Sequence, residues 1–186
     1  MDTETTLREI ARGSRDAFTS LYREQRPMMI RYATGLLAGD LAAAEDAVDE
    51  AFVAIWQQAG RFGGNGSANG WIRRIVRNKA IDWLRKQRES SFASDEAAEL
   101  ANQVPDSARS PHECAEKMCD GNQLRRALAT LSFEQREAVW LCYFEDKSLS
   151  EIAEIADCPQ NTVKTRLFYA RKSLQATLTP RCLEDA

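Results

Sequence analysis

Apolar residues recur at three- and four-residue spacing along most of the chain and nowhere alternate for long, a pattern that predicts an all-α protein. Leu7, Ile10, Ala11, Phe18, Leu21, Tyr22, Met29, Ile30, Ala33 and Leu36 trace two or three helical pieces, with breaks expected near Gly13 and Pro27. After Gly39, Asp40 is placed to cap a helix running to about Arg61, with Ala44, Val48, Ala51, Phe52, Ile55 and Trp56 along one side. The run GGNGSANG at 63–70 reads as a flexible loop, because it lacks the Gly-Lys-Ser/Thr ending of a phosphate cradle and no β-branched run precedes it. A further helix of about 18 residues is expected from Trp71.

From Ser90 to about Cys119 the periodicity dissolves into Ser, Ala, Asp, Glu and prolines, the composition of an acidic linker joining two domains. It resumes at Gln123. Ser132-x-x-Gln135 and Ser148-x-x-Glu151 are capping boxes, in which hydroxyl and acid or amide satisfy the unpaired N–H groups of a helix start. The second opens SLSEIAEIADCPQNTVKTRLFYARKSL, where Leu149, Ile152, Ala153 and Ala156 face inward, Asp157-Cys158 makes a break, and Pro159 suits a first helical position. This is a helix-turn-helix pattern. Val163, Leu167, Ala170 and Leu174 form the core stripe of its second helix. Asn161, Lys164, Thr165, Phe168, Tyr169 and Lys172 are left outward, with Arg166 and Arg171 on the flanks.

Charge sharpens the picture. The net value is −3, but it is segregated: −4 over residues 1–60, +6 over 61–91, −8 over 92–158 and +3 over 159–186. Two basic stretches on an acidic background suit two contacts with a polyanion, the alternative being that they are plain solvated faces. The polar, aromatic and basic mix on the last helix suits a DNA major groove, with phosphates drawing the Lys and Arg residues. No apolar run approaches the roughly 18 residues of a membrane span, and the first residues are polar and acidic, so a cytoplasmic chain is expected. Its five cysteines lack a disulfide spacing and read as reduced thiols, Cys142 and Cys158 as small buried side chains. His112, Cys114 and Cys119 are metal-ligand types, but in a segment without fold signals they read as linker residues. No Ser or Cys is flanked by a base and an orienting group, so no catalytic set, cofactor or metal is expected.

The two halves together resemble an extracytoplasmic-function (ECF) sigma factor, the minimal two-domain class of the sigma-70 family. AEDAVDEAFVAIWQQAGRF (44–62) is similar to the family's core-polymerase-binding segment, with Asp49 where glutamine is usual. GWIRRIVRNKAIDWLRKQR (70–88) keeps the frame of the next segment as Trp71, Ile75, Asn78, Asp82 and Arg85. LSFEQREAVWLCYFEDKSLSEIAEIADCPQNTVKTRLFYARKSL (131–174) resembles its C-terminal DNA-binding domain, with Asn161 where Gly is common and Tyr169 where Arg or His is frequent.

The resemblance implies residues 1–90 as a region-2-like domain, 91–120 as the linker and 121–186 as a region-4-like domain. It implies core RNA polymerase, through its β′ and β subunits, as a partner of Asp46, Glu50, Phe52 and Trp56, although Phe52 serves equally well as core. It places minus-ten DNA, opened to a single strand with a flipped base, at Asn65, Ser67, Asn69, Arg73, Arg74, Arg77, Asn78 and Lys79. Trp71 and Trp83 read as core. Duplex minus-thirty-five DNA falls to Asn161, Lys164, Thr165, Arg166, Phe168, Tyr169 and Arg171. An anti-sigma factor is the expected restraint, and no direct membrane insertion is expected. A stand-alone helix-turn-helix regulator would use residues 121–178 similarly but has no need of the 44–88 constellation.

Overall fold

The computed structural model describes residues 2–64, 66–93 and 123–178, so Asn65, His112, Cys114, Cys119, Cys182 and most of the expected linker lie outside the described residues. Among the described residues the regular structure is helical throughout. In chain order it comprises α1 (Thr3–Ala11), α2 (Arg15–Leu36), α3 (Leu41–Gln58), a 3-10 turn (Ala59–Arg61), α4 (Ala68–Ala93), α5 (123–129), α6 (Phe133–Tyr143), α7 (Leu149–Ala156) and α8 (Gln160–Leu178).

Local chemistry sets most of the boundaries. After α1, Gly13 adopts a φ of +90°, and Ser14 accepts the Ala17 N–H at 3.2 Å to start α2. The Asp40 carboxylate accepts the Ala43 N–H at 3.0 Å and starts α3. Both expected capping boxes close, with the Gln135 side chain reaching back to the Ser132 N–H at 3.2 Å and that of Glu151 to the Ser148 N–H at 2.9 Å. Asp157 ends α7 in the left-handed region, φ +51°, and makes the expected turn.

Elsewhere the chain departs from the pattern. Pro27 lies inside a continuous α2; it sits on the exposed side, so the Arg23 carbonyl that loses its N–H partner is left toward water and no break follows. α4 starts at Ala68 rather than Trp71, because Ser67 Oγ accepts the Gly70 N–H at 3.3 Å, and runs past Ser90 to Ala93. Before that end, Arg85 and Glu89 pair at 3.9 Å one turn apart. α8 begins at Gln160, and Pro159 stands just before it, its carbonyl accepting the Val163 N–H at 3.3 Å.

The first four helices enclose Leu7, Ile10, Leu21, Met29, Leu36, Val48, Phe52, Ile55, Ile72 and Val76, none more than 2% exposed. Phe18, Tyr22, Phe52 and Trp56 meet edge-on along the α2–α3 side, with ring centroids between 4.9 and 6.3 Å. α6, α7 and α8 close around Leu141, Ile152, Val163, Leu167 and Ala170. The two cores also touch directly: α2 packs on α6 and α4 on α7, so the buried residues form one continuous cluster. The contact is close at Gly35, where an added Cβ would lie 2.2 Å from a ring carbon of Trp140.

The cap of α7 carries a pH signature. Glu151 is held down to about 2, chiefly by the hydrogen bond from the Ser148 backbone and then by Lys147. A depressed carboxylate contributes stability above its ordinary value of 4.5 that is lost as pH falls toward about 2. Urea titrations between pH 5 and pH 2 are therefore expected to show a loss of stability that is shallower in Glu151→Gln. At neutral pH, Ser148→Ala costs about 1 kcal/mol.

Candidate nucleic-acid interface

α8 shows one face to the core and the other to solvent. Val163, Leu167 and Ala170 are buried, while Asn161, Lys164, Thr165, Phe168, Tyr169, Arg171 and Lys172 are exposed. No acid occurs in this helix. Phe168, 63% exposed, and Tyr169 meet edge-to-face at 5.4 Å, so two aromatic rings stand together in water without burial to explain them. The Arg171 guanidinium lies over the Tyr143 ring at 5.9 Å. Arg166 differs from its neighbours: it is half-buried and turned to Cys158, Nη1 to Sγ at 3.4 Å. Cys142 and Cys158 are both half-buried thiols.

α4 carries the second basic block, and its arginines are taken up at the contact between the two halves. Arg73, 7% exposed, pairs through Nε with Glu145 Oε2 at 2.6 Å. Arg74 donates to the Glu154 backbone carbonyl. Arg77 Nε approaches Glu137 Oε1 to 2.8 Å, with its N–H off the line to the oxygen. The Ser67 N–H donates to Glu154 Oε1 at 3.1 Å, which ties the loop before α4 to the same helix α7. Asn69 is exposed in the first turn of α4, its carbonyl accepting from Arg73 at 3.4 Å. Asn78 is exposed, and Lys79 reaches Glu50 at 3.2 Å.

Glu137 is the centre of this contact. It has no exposed surface, and its Oε1 accepts the Tyr32 O–H at 3.1 Å as well as facing Arg77. Its Oε2 is buried without a partner. Burial pushes the carboxyl up, against the pull of Arg77 and the Tyr32 hydrogen bond. The Tyr32 phenol is raised well above its ordinary range, first by burial and then by the Glu137 charge beside it. Arg136, lowered by burial, donates to the Leu36 carbonyl at 2.9 Å and the Leu131 carbonyl at 3.0 Å, joining the end of α2 to the start of α6.

On α3, Asp46 and Glu50 are exposed, and Glu50 faces Lys79 and Lys86 of α4. Phe52 is buried at 1% exposure, so the aromatic surface on this helix comes from Trp56, 37% exposed, next to Val53. Asp49, the departure from glutamine, receives Arg26 in a two-point fork, at 3.0 and 3.2 Å, and Tyr22 Oη at 3.2 Å. The Arg26 fork draws its carboxyl below the usual range. Trp71 and Trp83 are half-buried against the core.

Residues 21–90 match the family model of sigma-70 region 2, and residues 121–174 that of sigma-70 region 4. The chain is 32% identical to the ECF RNA polymerase sigma factor SigL of Mycobacterium tuberculosis, over 86% of its own length and 87% of that protein's. This chain belongs to the extracytoplasmic-function sigma factors. Similarity to the ECF sigma factor SigW of Bacillus subtilis, 26% identical, extends over 92% of the chain and 94% of SigW. Among solved structures, the sigma factor RpoE in complex with the anti-sigma factor NepR from Bartonella quintana superposes with a TM-score of 0.68 at 26% identity, covering 87% of this chain and 96% of that one. CnrH in complex with the cytosolic domain of CnrY shares the fold, with a TM-score of 0.67 at 20% identity over 94% of this chain and 96% of that one.

As an ECF sigma factor, the chain serves promoter-specific initiation, with core RNA polymerase and promoter DNA as its partners. Within that frame, the sequence reading had not anticipated the pairing of Tyr32, Arg73, Arg74 and Arg77 with groups of α6, α7 and the segment between them. The opposed charges of 61–91 and 92–158 were the available signal.

The buried pair generates a stability prediction. Removing one partner strands the other, so Glu137→Ala is expected to cost about 3–5 kcal/mol. Combined with Arg77→Met it should cost less than the sum of the single changes. Urea denaturation of the four proteins of this cycle measures both.

Proposed function

We propose that this sigma factor reads its promoter with two surfaces of opposite character. The minus-thirty-five duplex takes the outward face of α8, where Asn161, Thr165, Phe168 and Tyr169 meet base edges and Lys164 and Arg171 meet phosphates, with Arg166 beside them at the turn. The melted minus-ten strand takes Asn78 and the loop around Asn65, Ser67 and Asn69, with Arg73, Arg74, Arg77 and Lys79 along its backbone. Asp46, Glu50 and Trp56 present α3 to the polymerase β′ subunit, and Phe52 holds that surface from beneath. Residues 1–90 and 121–186 act as the two domains, joined through 91–120.

The observation that carries this reading is the acid-free, outward-facing surface of α8, with exposed aromatic, amide and basic side chains side by side. The part played is recognition and strand opening, without a catalytic step of its own. The chain works in the cytoplasm and does not insert into a membrane; no described helix is long and apolar enough to cross one. Restraint by an anti-sigma factor is assigned from the likeness to RpoE, whose structure is a complex with one. Run-off transcription from fragmented genomic DNA with core polymerase tests the whole reading. Discrete transcripts that appear only with this protein and share upstream elements support it. DNA binding without any new transcript would favour a stand-alone regulator.

Three substitutions bear on the two surfaces. Lys164→Ala is expected to reduce the slope of log affinity against log salt for minus-thirty-five duplex by about 1, as for one lost phosphate contact. Arg166→Ala, which releases the Cys158 contact, should change that slope less. Asn78→Ala is expected to lower permanganate reactivity of the minus-ten thymines while leaving polymerase binding near its original level; equal losses in both would remove Asn78 from strand opening.

A further inference from the structure

The exposed face of α8 has a neighbour from another helix. Tyr143, the last residue of α6, is 53% exposed and stands outside the apolar cluster. Other exposed rings of this half have rings for company: Phe168 meets Tyr169 edge-to-face, and Phe144 stacks on Trp140 at 4.4 Å. Tyr143 meets a cation. The guanidinium carbon of Arg171 lies over its ring, 5.9 Å from the centroid. Burial does not account for a large ring in this place.

The way an arginine is held decides what it can still bind. A carboxylate takes it by the edge, as Glu145 takes Nε of Arg73 at 2.6 Å, and uses up N–H donors. An aromatic ring takes the flat face and leaves the five N–H groups of the edge free to donate. α8 carries no acid to claim them. Arg166 shows a different arrangement, with Nη1 turned onto Cys158 Sγ at 3.4 Å and the residue half-buried. Arg171 and Lys164 are seven residues apart, so they share one side of α8 about 10 Å apart along its axis, with Phe168 between them. A long cationic side chain loses rotamer freedom when it grips a phosphate. A ring beneath it takes part of that loss in advance.

Resting on the minus-thirty-five reading above, we propose that Tyr143 is a positioning residue for DNA binding, whose ring holds the Arg171 guanidinium by its face and leaves the N–H edge to a backbone phosphate of the duplex. The recognition surface thereby extends from α8 onto the end of α6. Tyr143 acts through Arg171, and its hydroxyl is not needed.

Four full-length variants test this: Tyr143→Leu, Tyr143→Phe, Arg171→Ala, and Tyr143→Leu combined with Arg171→Ala. Fluorescence anisotropy over a range of salt reports their affinity for a labelled minus-thirty-five duplex from a promoter found by run-off. Arg171→Ala is expected to weaken binding and to lower the slope of log affinity against log salt by about 1. Tyr143→Leu leaves every charge in place, so it should weaken binding about threefold at an unchanged slope. Tyr143→Phe should bind like the parent, and the double variant no more weakly than Arg171→Ala alone. Urea denaturation checks that Tyr143→Leu is folded; if it is not, Tyr143→Gln takes its place.

A loss in Tyr143→Phe would assign the contact to the hydroxyl and overturn the inference. So would a loss from Tyr143→Leu that persists in full without Arg171, the mark of a merely structural residue. Unchanged binding by Tyr143→Leu beside weakened binding by Arg171→Ala overturns it as well and leaves the minus-thirty-five reading standing. Arg171→Ala binding like the parent removes the inference. If Lys164→Ala does the same, the minus-thirty-five reading goes with it.

Discussion

A carboxylate without exposed surface sits where the two halves of this sigma factor meet, and the arrangement of its helices depends on it. Glu137 lies on α6, its hydrogen-bond donor Tyr32 on α2 and its counter-charge Arg77 on α4. An unpaired charge in that position would cost several kcal/mol, so the three helices must converge for the residue to be tolerated at all. Convergence then brings Trp140 onto Gly35, Arg73 to Glu145 and Arg74 to the end of α7. Apolar burial supplies most of the favourable free energy of the contact, and the buried acid fixes which residues face one another.

The two surfaces proposed for DNA stand differently to this junction. α8 packs on α6 and α7 through Val163, Leu167 and Ala170 and keeps its opposite side free, whatever the first half does. α4 has no such independence, because one side holds the first core through Ile72 and Val76 while its arginines meet the second half. A single basic helix thereby serves both as a structural partner and as a candidate strand-binding element.

The local grammar of the fold was legible in the sequence. Asp40, Ser132 and Ser148 mark helix starts through bonds to residues three positions on, and the helix-turn-helix follows from short-range spacing. Pro27 was misleading because its cost depends on whether the carbonyl it deprives faces water, which spacing alone does not give. The end of α4 was hidden because its last residues, SSFA, carry no helical periodicity of their own. Phe52 and Trp56 are one turn apart, and only their exposure in the fold, 1% against 37%, shows that the first is core and the second surface. The Tyr32–Glu137 bond joins residues 105 positions apart, beyond the reach of any periodicity. The opposed charge blocks of 61–91 and 92–158 announced an attraction without naming the atoms.

Gly35 has a second consequence, which concerns the helix that contains it. α2 packs against α1, α3, α4 and α6, yet it carries a proline in its interior and a glycine in its last turn, the two residues least suited to an isolated helix. Its last turns are therefore helical by virtue of what surrounds them rather than of their own sequence. Local order in this stretch is coupled to the arrival of α6, so the segment that touches most of the molecule is also one of the least self-sufficient parts of it.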